Sequence, residues 1–173
     1  TNGKSTTVRL MEAILTTAGI QAGASSTDGI RIAKQTMESG DYSGPEGARS
    51  ILRNTDVETA VLEIARGGML RRGLPVENIQ AAIITNVAED HLGEYGVQNL
   101  SHMVETKFII QHGLADDGVL VLNADDTKIV KFSKSVSREI CWFSLDNSNP
   151  AITNHIHTGG KACTVDNSQI VYH

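Results

Sequence analysis

The chain has 173 residues, with 15 Lys and Arg against 20 Asp and Glu, a net charge of −5 with His neutral. That length fits one domain, or one domain with a small appendage, and hydrophobic residues at 40% with 16 glycines exclude collagen-like and disordered classes. No apolar run approaches the roughly 20 residues of a membrane span, and the lack of any Lys/Arg-rich block argues against nucleic acid as a partner.

The first residue is Thr1 rather than Met, inside a glycine-rich loop, and the last two are Tyr172 and His173 with no closing signal. We therefore expect a piece of a longer protein. Cys141 and Cys163 are far apart and form no Cys-x-x-Cys pair. They read as buried, reduced thiols of a cytosolic protein.

Val8, Leu10, Met11, Ile14 and Leu15 place an apolar stripe on a helix over 6–18, which Gly19 would stop. A short strand is expected over 20–26. Residues 39–47 carry loop chemistry, rich in Gly and Ser with one Pro. A short helix follows over 46–53, then a buried strand over 59–64 that Gly67-Gly68 breaks. Residues 81–87 form an almost continuous apolar run, as a parallel sheet requires. A helix over 100–114, a strand over 119–122, a helix over 126–132 and a strand over 139–144 follow. Beyond the polar turn at 146–150, three short runs (152–157, 162–165 and 169–172) alternate as an antiparallel meander.

Strands alternating with helices predict an α/β fold, a mostly parallel sheet flanked by helices with a small antiparallel β appendage at the C-terminal end. We expect residues 1–145 to form the body, and residues 146–173 to form the meander of the same domain.

Thr1-Asn2-Gly3-Lys4-Ser5-Thr6 opens the first helix. Gly-Lys-Ser followed by an amphipathic helix is the second half of a P-loop. Backbone N–H groups at a helix start cradle phosphate oxygens. Lys4 supplies a point charge to the outer phosphates, and the Ser5 hydroxyl can reach magnesium. The alternative is an ordinary helix cap. Glu63 is a carboxylate near the end of an apolar strand, where α/β ligand sites form; the plainer reading is an edge or solvent-facing residue. His91 follows the next strand end, and with Glu63 and Lys4 at the same sheet edge it is a candidate metal ligand, or else a surface histidine. Asp90 can orient a neighbour. Lys107 reads by itself as a snorkelling lysine, and Asp125 or Asp126 as a helix N-cap. Arg66, Arg71 and Arg72 form a basic patch that is a solvated loop or an anion contact.

Taken together, these motifs resemble the central, ATP-binding domain of the Mur ligase superfamily. The resemblance rests on Thr1 to Thr6, on Leu62-Glu63, on Thr85-Asn-Val with Asp90-His-Leu92, and on Asn123-Ala-Asp-Asp126. Glu63-Ile-Ala-Arg-Gly-Gly68, Ser26-Thr-Asp-Gly29 and Gly40-Asp-Tyr-Ser-Gly44 are most similar to the cyanophycin synthetase branch, where peptidoglycan-building members usually carry Ser-Ser after the glutamate. The resemblance implies ATP and Mg2+ as cofactors, with Ser5, Thr27, Glu63 and His91 as metal ligands. Lys4, His91 and a Lys107 modified to a carbamate would carry the chemistry. It implies that ATP activates a carboxylate as an acyl phosphate, which an amine then attacks. In that branch arginine joins aspartate side chains of a poly-aspartate backbone; other members act on peptidoglycan precursors, folate or poly-glutamate. The partners expected are ATP and an amino-acid or polymer carboxylate, with no nucleic acid and no membrane, and any homo-oligomer is left to regions outside these residues. Family members need a further C-terminal domain, and a strand with the first loop glycine before Thr1, so these residues alone are expected to lack ligase activity. A non-catalytic P-loop nucleotide-binding module stays open beside this reading.

Overall fold

A computed structural model describes residues 2–88 and 99–173. They form two units, Asn2–Val76 and Glu77–His173.

The first unit contains α1 (Lys4–Thr17), β1 (Ala22–Ser26), β2 (Gly29–Ile32), β3 (Gln35–Ser39), α2 (Pro45–Leu52), β4 (Thr59–Leu62) and α3 (Arg66–Arg72). Its sheet runs β3-β2-β1-β4. β1 and β4 are parallel, whereas β1-β2 and β2-β3 are antiparallel. All five β1 residues are small and buried, and their size sets how closely α2 approaches. A Cβ added to Gly23 would lie 2.8 Å from Val57 Cγ2 and 3.0 Å from Ile51 Cγ2. Ile51 is fully buried there, worth about 1.5–3 kcal/mol of transfer free energy.

The β2–β3 hairpin was not among the expected elements. Its two-residue turn places Ala33 and Lys34 at φ 47° and 70°, a type I′ geometry that usually calls for Asn-Gly. Tertiary bonds supply what the turn residues lack. Buried Glu12 of α1 accepts from Lys34 N at 3.0 Å and from Arg31 Nε at 2.9 Å, and Arg31 Nη2 donates to Lys34 O at 2.8 Å. β4 ends before Gly67-Gly68, and the two glycines lie inside α3, which stops at Gly73 with φ 74°.

The second unit contains β5 (Ile79–Ile84), α4 (Leu100–Phe108), β6 (Leu114–Asn123), α5 (Thr127–Ser133), β7 (Glu139–Phe143), α6 (Pro150–His157), β8 (Lys161–Asp166) and β9 (Gln169–Tyr172). Its sheet runs β5-β6-β7-β8-β9, with every pair parallel except β8-β9. This agrees with the expected mostly parallel α/β sheet carrying an antiparallel appendage. Alternate residues Leu120, Leu122, Trp142, Ala162 and Thr164 are buried, as are Phe108, Ile129 and Ile152 of the helices. The Phe108 and Phe132 rings meet at 4.5 Å between centroids. The helix expected over 100–114 is α4 followed by a 3-10 turn over Ile109–Gly113.

One expected strand of the meander is a helix. Residues 152–157 lie in α6, not in a strand. Pro150 stands at its first turn, and the Asn149 side chain accepts from Ala151 N at 3.0 Å. Proline at a helix start and a side-chain cap satisfy the end of even a short helix. The βαβ pattern therefore continues through β8, and only β8-β9 turns back. Among the described residues, no helix is long and apolar enough to cross a membrane.

Candidate functional site

The site lies in the first unit, where the starts of α1 and the ends of β1 and β4 meet. Gly3 caps α1 at φ 86°, a left-handed conformation that glycine adopts without strain. α1 has no side-chain cap and no acidic residue in its first turn, an arrangement that suits an anion at the helix start. Thr7 closes the turn onto Gly3 O through its amide and its hydroxyl.

Glu63 follows the last residue of β4, and its amide extends the parallel ladder by donating to Ser25 O at 2.8 Å. Its side chain is only 1% exposed. Oε2 accepts from Ser5 Oγ at 2.7 Å and from Thr27 N at 3.4 Å. The Ser5 and Thr27 hydroxyls stand 2.9 Å apart. Oε1 has no hydrogen bond and faces Lys4 Nζ at 3.6 Å. Thus Lys4, Ser5, Thr27 and Glu63 converge. The solvent-facing reading of Glu63 is excluded by its burial.

This donor set suits a hard divalent cation. Two hydroxyls and a carboxylate are oxygen ligands of the kind magnesium takes, few per protein. The buried Oε1, which accepts no hydrogen bond, is the observation that fits a cation ligand, because a buried carboxylate oxygen is otherwise hydrogen-bonded. Among the described residues, no three His, Cys, Asp or Glu side chains gather into a metal cage.

Asn2 and Thr6 of the loop are exposed. Lys107 is half-buried in the last turn of α4, in the second unit. Thr1, Asp90 and His91 lie outside the described residues. Asp126 caps α5, accepting from Lys128 N and Ile129 N as its sequence reading allows, and also accepts from Val87 N at 2.7 Å. Asp125 instead accepts from Leu145 N and Asn149 Nδ2. Arg66, Arg71 and Arg72 are in α3 rather than a loop. Arg72 pairs with Glu46 at 3.0 Å, and Arg71 and Arg72 line a cleft of about 230 Å3 together with Asp41, Gly44, Gly67 and Gly68.

Asp41 was not singled out by sequence reasoning. Its carboxylate accepts from Ser43 Oγ at 2.6 Å and from Ser43 N at 3.0 Å. These bonds, and then the charge of Lys4, hold its carboxyl below the ordinary carboxylate value. The Asp-x-Ser spacing of such a turn was the available signal.

The chain is similar to known proteins over almost its whole length. The family described as the Mur ligase middle domain matches residues 1–171. Cyanophycin synthetase of Geminocystis herdmanii is 42% identical over 170 residues, 98% of this chain and 20% of that protein. Cyanophycin synthetase of Synechocystis sp. is 39% identical over the same span. The UDP-N-acetylmuramoyl-L-alanyl-D-glutamate–2,6-diaminopimelate ligase of Listeria monocytogenes serovar 1/2a is 26% identical over 182 residues, 96% of this chain and 37% of that protein. A solved structure of a ligase of that last name superposes with a TM-score of 0.70 at 19% identity, covering 99% of this chain and 35% of the other, and so shares its fold. The chain spans about a fifth of the length of the cyanophycin synthetases it matches. It belongs to the Mur ligase middle domain family.

Proposed function

We propose that these residues are the nucleotide-binding part, residues 1–145 with the 146–173 extension, of an ATP-dependent ligase that joins an amine to an activated carboxylate. The observation that carries the reading is the convergence of Lys4, Ser5 and Thr27 on buried Glu63, whose Oε1 has no hydrogen bond. The first turn of α1 would hold phosphate oxygens through its amides, with Lys4 adding a positive charge whose attraction strengthens as negative charge grows on the transferring phosphoryl group. Ser5, Thr27 and Glu63, with His91, would hold Mg2+, which when bound would neutralise phosphate charge. The phosphoryl group would pass to a substrate carboxylate, forming an acyl phosphate and ADP. An amine would then attack the acyl carbon, releasing phosphate and a proton. A carbamate on Lys107 would convert that half-buried cation into an anion. His91 and Lys107 are assigned by family resemblance.

The greater identity to cyanophycin synthetases than to the diaminopimelate ligase supports arginine and an aspartate polymer as substrates. The test is ADP release by the full-length protein, offered arginine with an aspartate-rich polymer, or muropeptide, or folate with glutamate. We expect turnover with the first pair, abolished by Glu63→Gln. Turnover only with another pair would reassign the substrate, and Mg–ATP binding unaffected by Glu63→Gln with no turnover on any pair would mean a non-catalytic nucleotide module.

A further inference from the structure

Lys4 Nζ stands 3.6 Å from Glu63 Oε1, the one carboxylate oxygen of this cluster that accepts no hydrogen bond. The carboxylate is 1% exposed and the lysine 33%. A buried carboxylate is costly unless a cation accompanies it, and Lys4 fills that role from a flexible, partly solvated stem. A phosphate at the start of α1 and a divalent cation at Oε1 would each need Lys4 elsewhere. The phosphate draws the ammonium toward itself, and the cation takes its place. We propose that Lys4 is the resident counter-ion of Glu63 in the unliganded site, so that phosphate binding draws it away and opens Oε1 to a divalent cation. This rests on the nucleotide reading above and adds to it a rule of loading. Metal without phosphate binds weakly because it must displace an ammonium. Metal with phosphate binds tightly because the ammonium has already left. By linkage, a bound cation raises phosphate affinity by the same factor. The lysine charge also acts on the Asp41 carboxyl, after the Ser43 hydrogen bonds.

The test titrates the full-length protein, without nucleotide, with Mn2+ followed by its electron paramagnetic resonance. Lys4→Met should bind Mn2+ about tenfold or more tightly than the wild type, the scale on which one neighbouring cation alters a carboxylate's affinity for a proton. Sulfate, which attracts the ammonium and scarcely chelates Mn2+, should tighten Mn2+ binding in the wild type and leave Lys4→Met unchanged. The sulfate arm needs no variant to fold. If Lys4→Met binds Mn2+ no better and sulfate has no effect on the wild type, while Glu63→Gln still weakens binding, the counter-ion role is overturned and the metal reading stands. If Glu63→Gln leaves Mn2+ affinity intact in both backgrounds, both readings fall.

Discussion

Ser5 Oγ donates to Glu63 Oε2 at 2.7 Å across 58 positions of the chain. This bond ties the first turn of α1 to the end of β4, and it joins a hydroxyl suited to metal binding to a carboxylate buried beneath it. Ser5→Ala leaves Oε2 with only the long 3.4 Å bond from Thr27 N. Losing a hydrogen bond to a charged, buried group costs about 1.5–3 kcal/mol. The urea midpoint should fall accordingly, and Ser5→Thr should recover most of it. An unchanged midpoint for Ser5→Ala would mean that solvent replaces the hydroxyl freely.

Glu12 makes the second buried contact of α1, to Arg31 Nε and Lys34 N. Its side chain is 3% exposed against 31% for Arg31. Removing one partner of a buried ion pair strands the other, typically at about 3–5 kcal/mol, and the partial exposure of Arg31 puts the expectation near the lower figure. Glu12→Ala should lower stability by about 3 kcal/mol in chemical denaturation and expose the β2–β3 hairpin to faster amide exchange. Exchange unchanged in residues 29–39 would show that the hairpin holds its turn unaided.

Gly23 has no room for a side chain. Gly23→Ala pushes a methyl to 2.8 Å from Val57 Cγ2, and overpacking of this kind costs about 1–3 kcal/mol. The double variant Gly23→Ala with Val57→Ala should lose less than the sum of the two single losses, because the second change opens the space the first one needs. Additive losses in a thermal denaturation cycle would refute the clash.

Asp41 gives the protein an acid-side dependence. Ser43 hydrogen bonds, followed by the Lys4 charge, place its folded value below the ordinary 3.8. The stability it contributes is therefore complete above the unfolded value and is lost as pH falls through the folded one. The stability advantage of wild type over Asp41→Asn should shrink between pH 6 and pH 3. Lys161 acts on the opposite limb. Its bond to Glu139 raises it above 10.5, so its contribution is present below that value and disappears as pH rises through the folded one. A gap between wild type and Asp41→Asn that stays flat down to pH 3 would remove Asp41 from the account.

Much of the candidate site was legible because its chemistry is written in short runs. Gly3-Lys4-Ser5 before an apolar stripe, and a lone Glu63 at the end of a buried strand, each announce themselves through an incongruous residue type. What could not be read was how they meet. Only folding shows that Thr27 N reaches the same oxygen as Ser5, or that Oε1 keeps no hydrogen bond. The fold was legible where periodicity is strong, as in β5, β6 and β7. It failed where tertiary bonds override local preference. Ala33-Lys34 forms a tight turn because Glu12 holds it from another element. Residues 152–157 have an alternation that fits a strand as well as a helix, and the Asn149 cap decides between them.

Asn123 Nδ2 donates to Thr85 O and the Asp126 carboxylate accepts from Val87 N, 38 and 39 positions apart. The stretch that leaves β5 is thus tied at its start to the end of β6. Anyone recombining family members into chimeras inherits this as a rule of cutting. A crossover placed between positions 88 and 123 can pair one parent's Thr85 to Val87 with another parent's Asn123 to Asp126, and the two halves would then have to agree at two hydrogen bonds that no alignment of either half alone displays. Crossovers on either side of 85–126 keep both bonds within one parent.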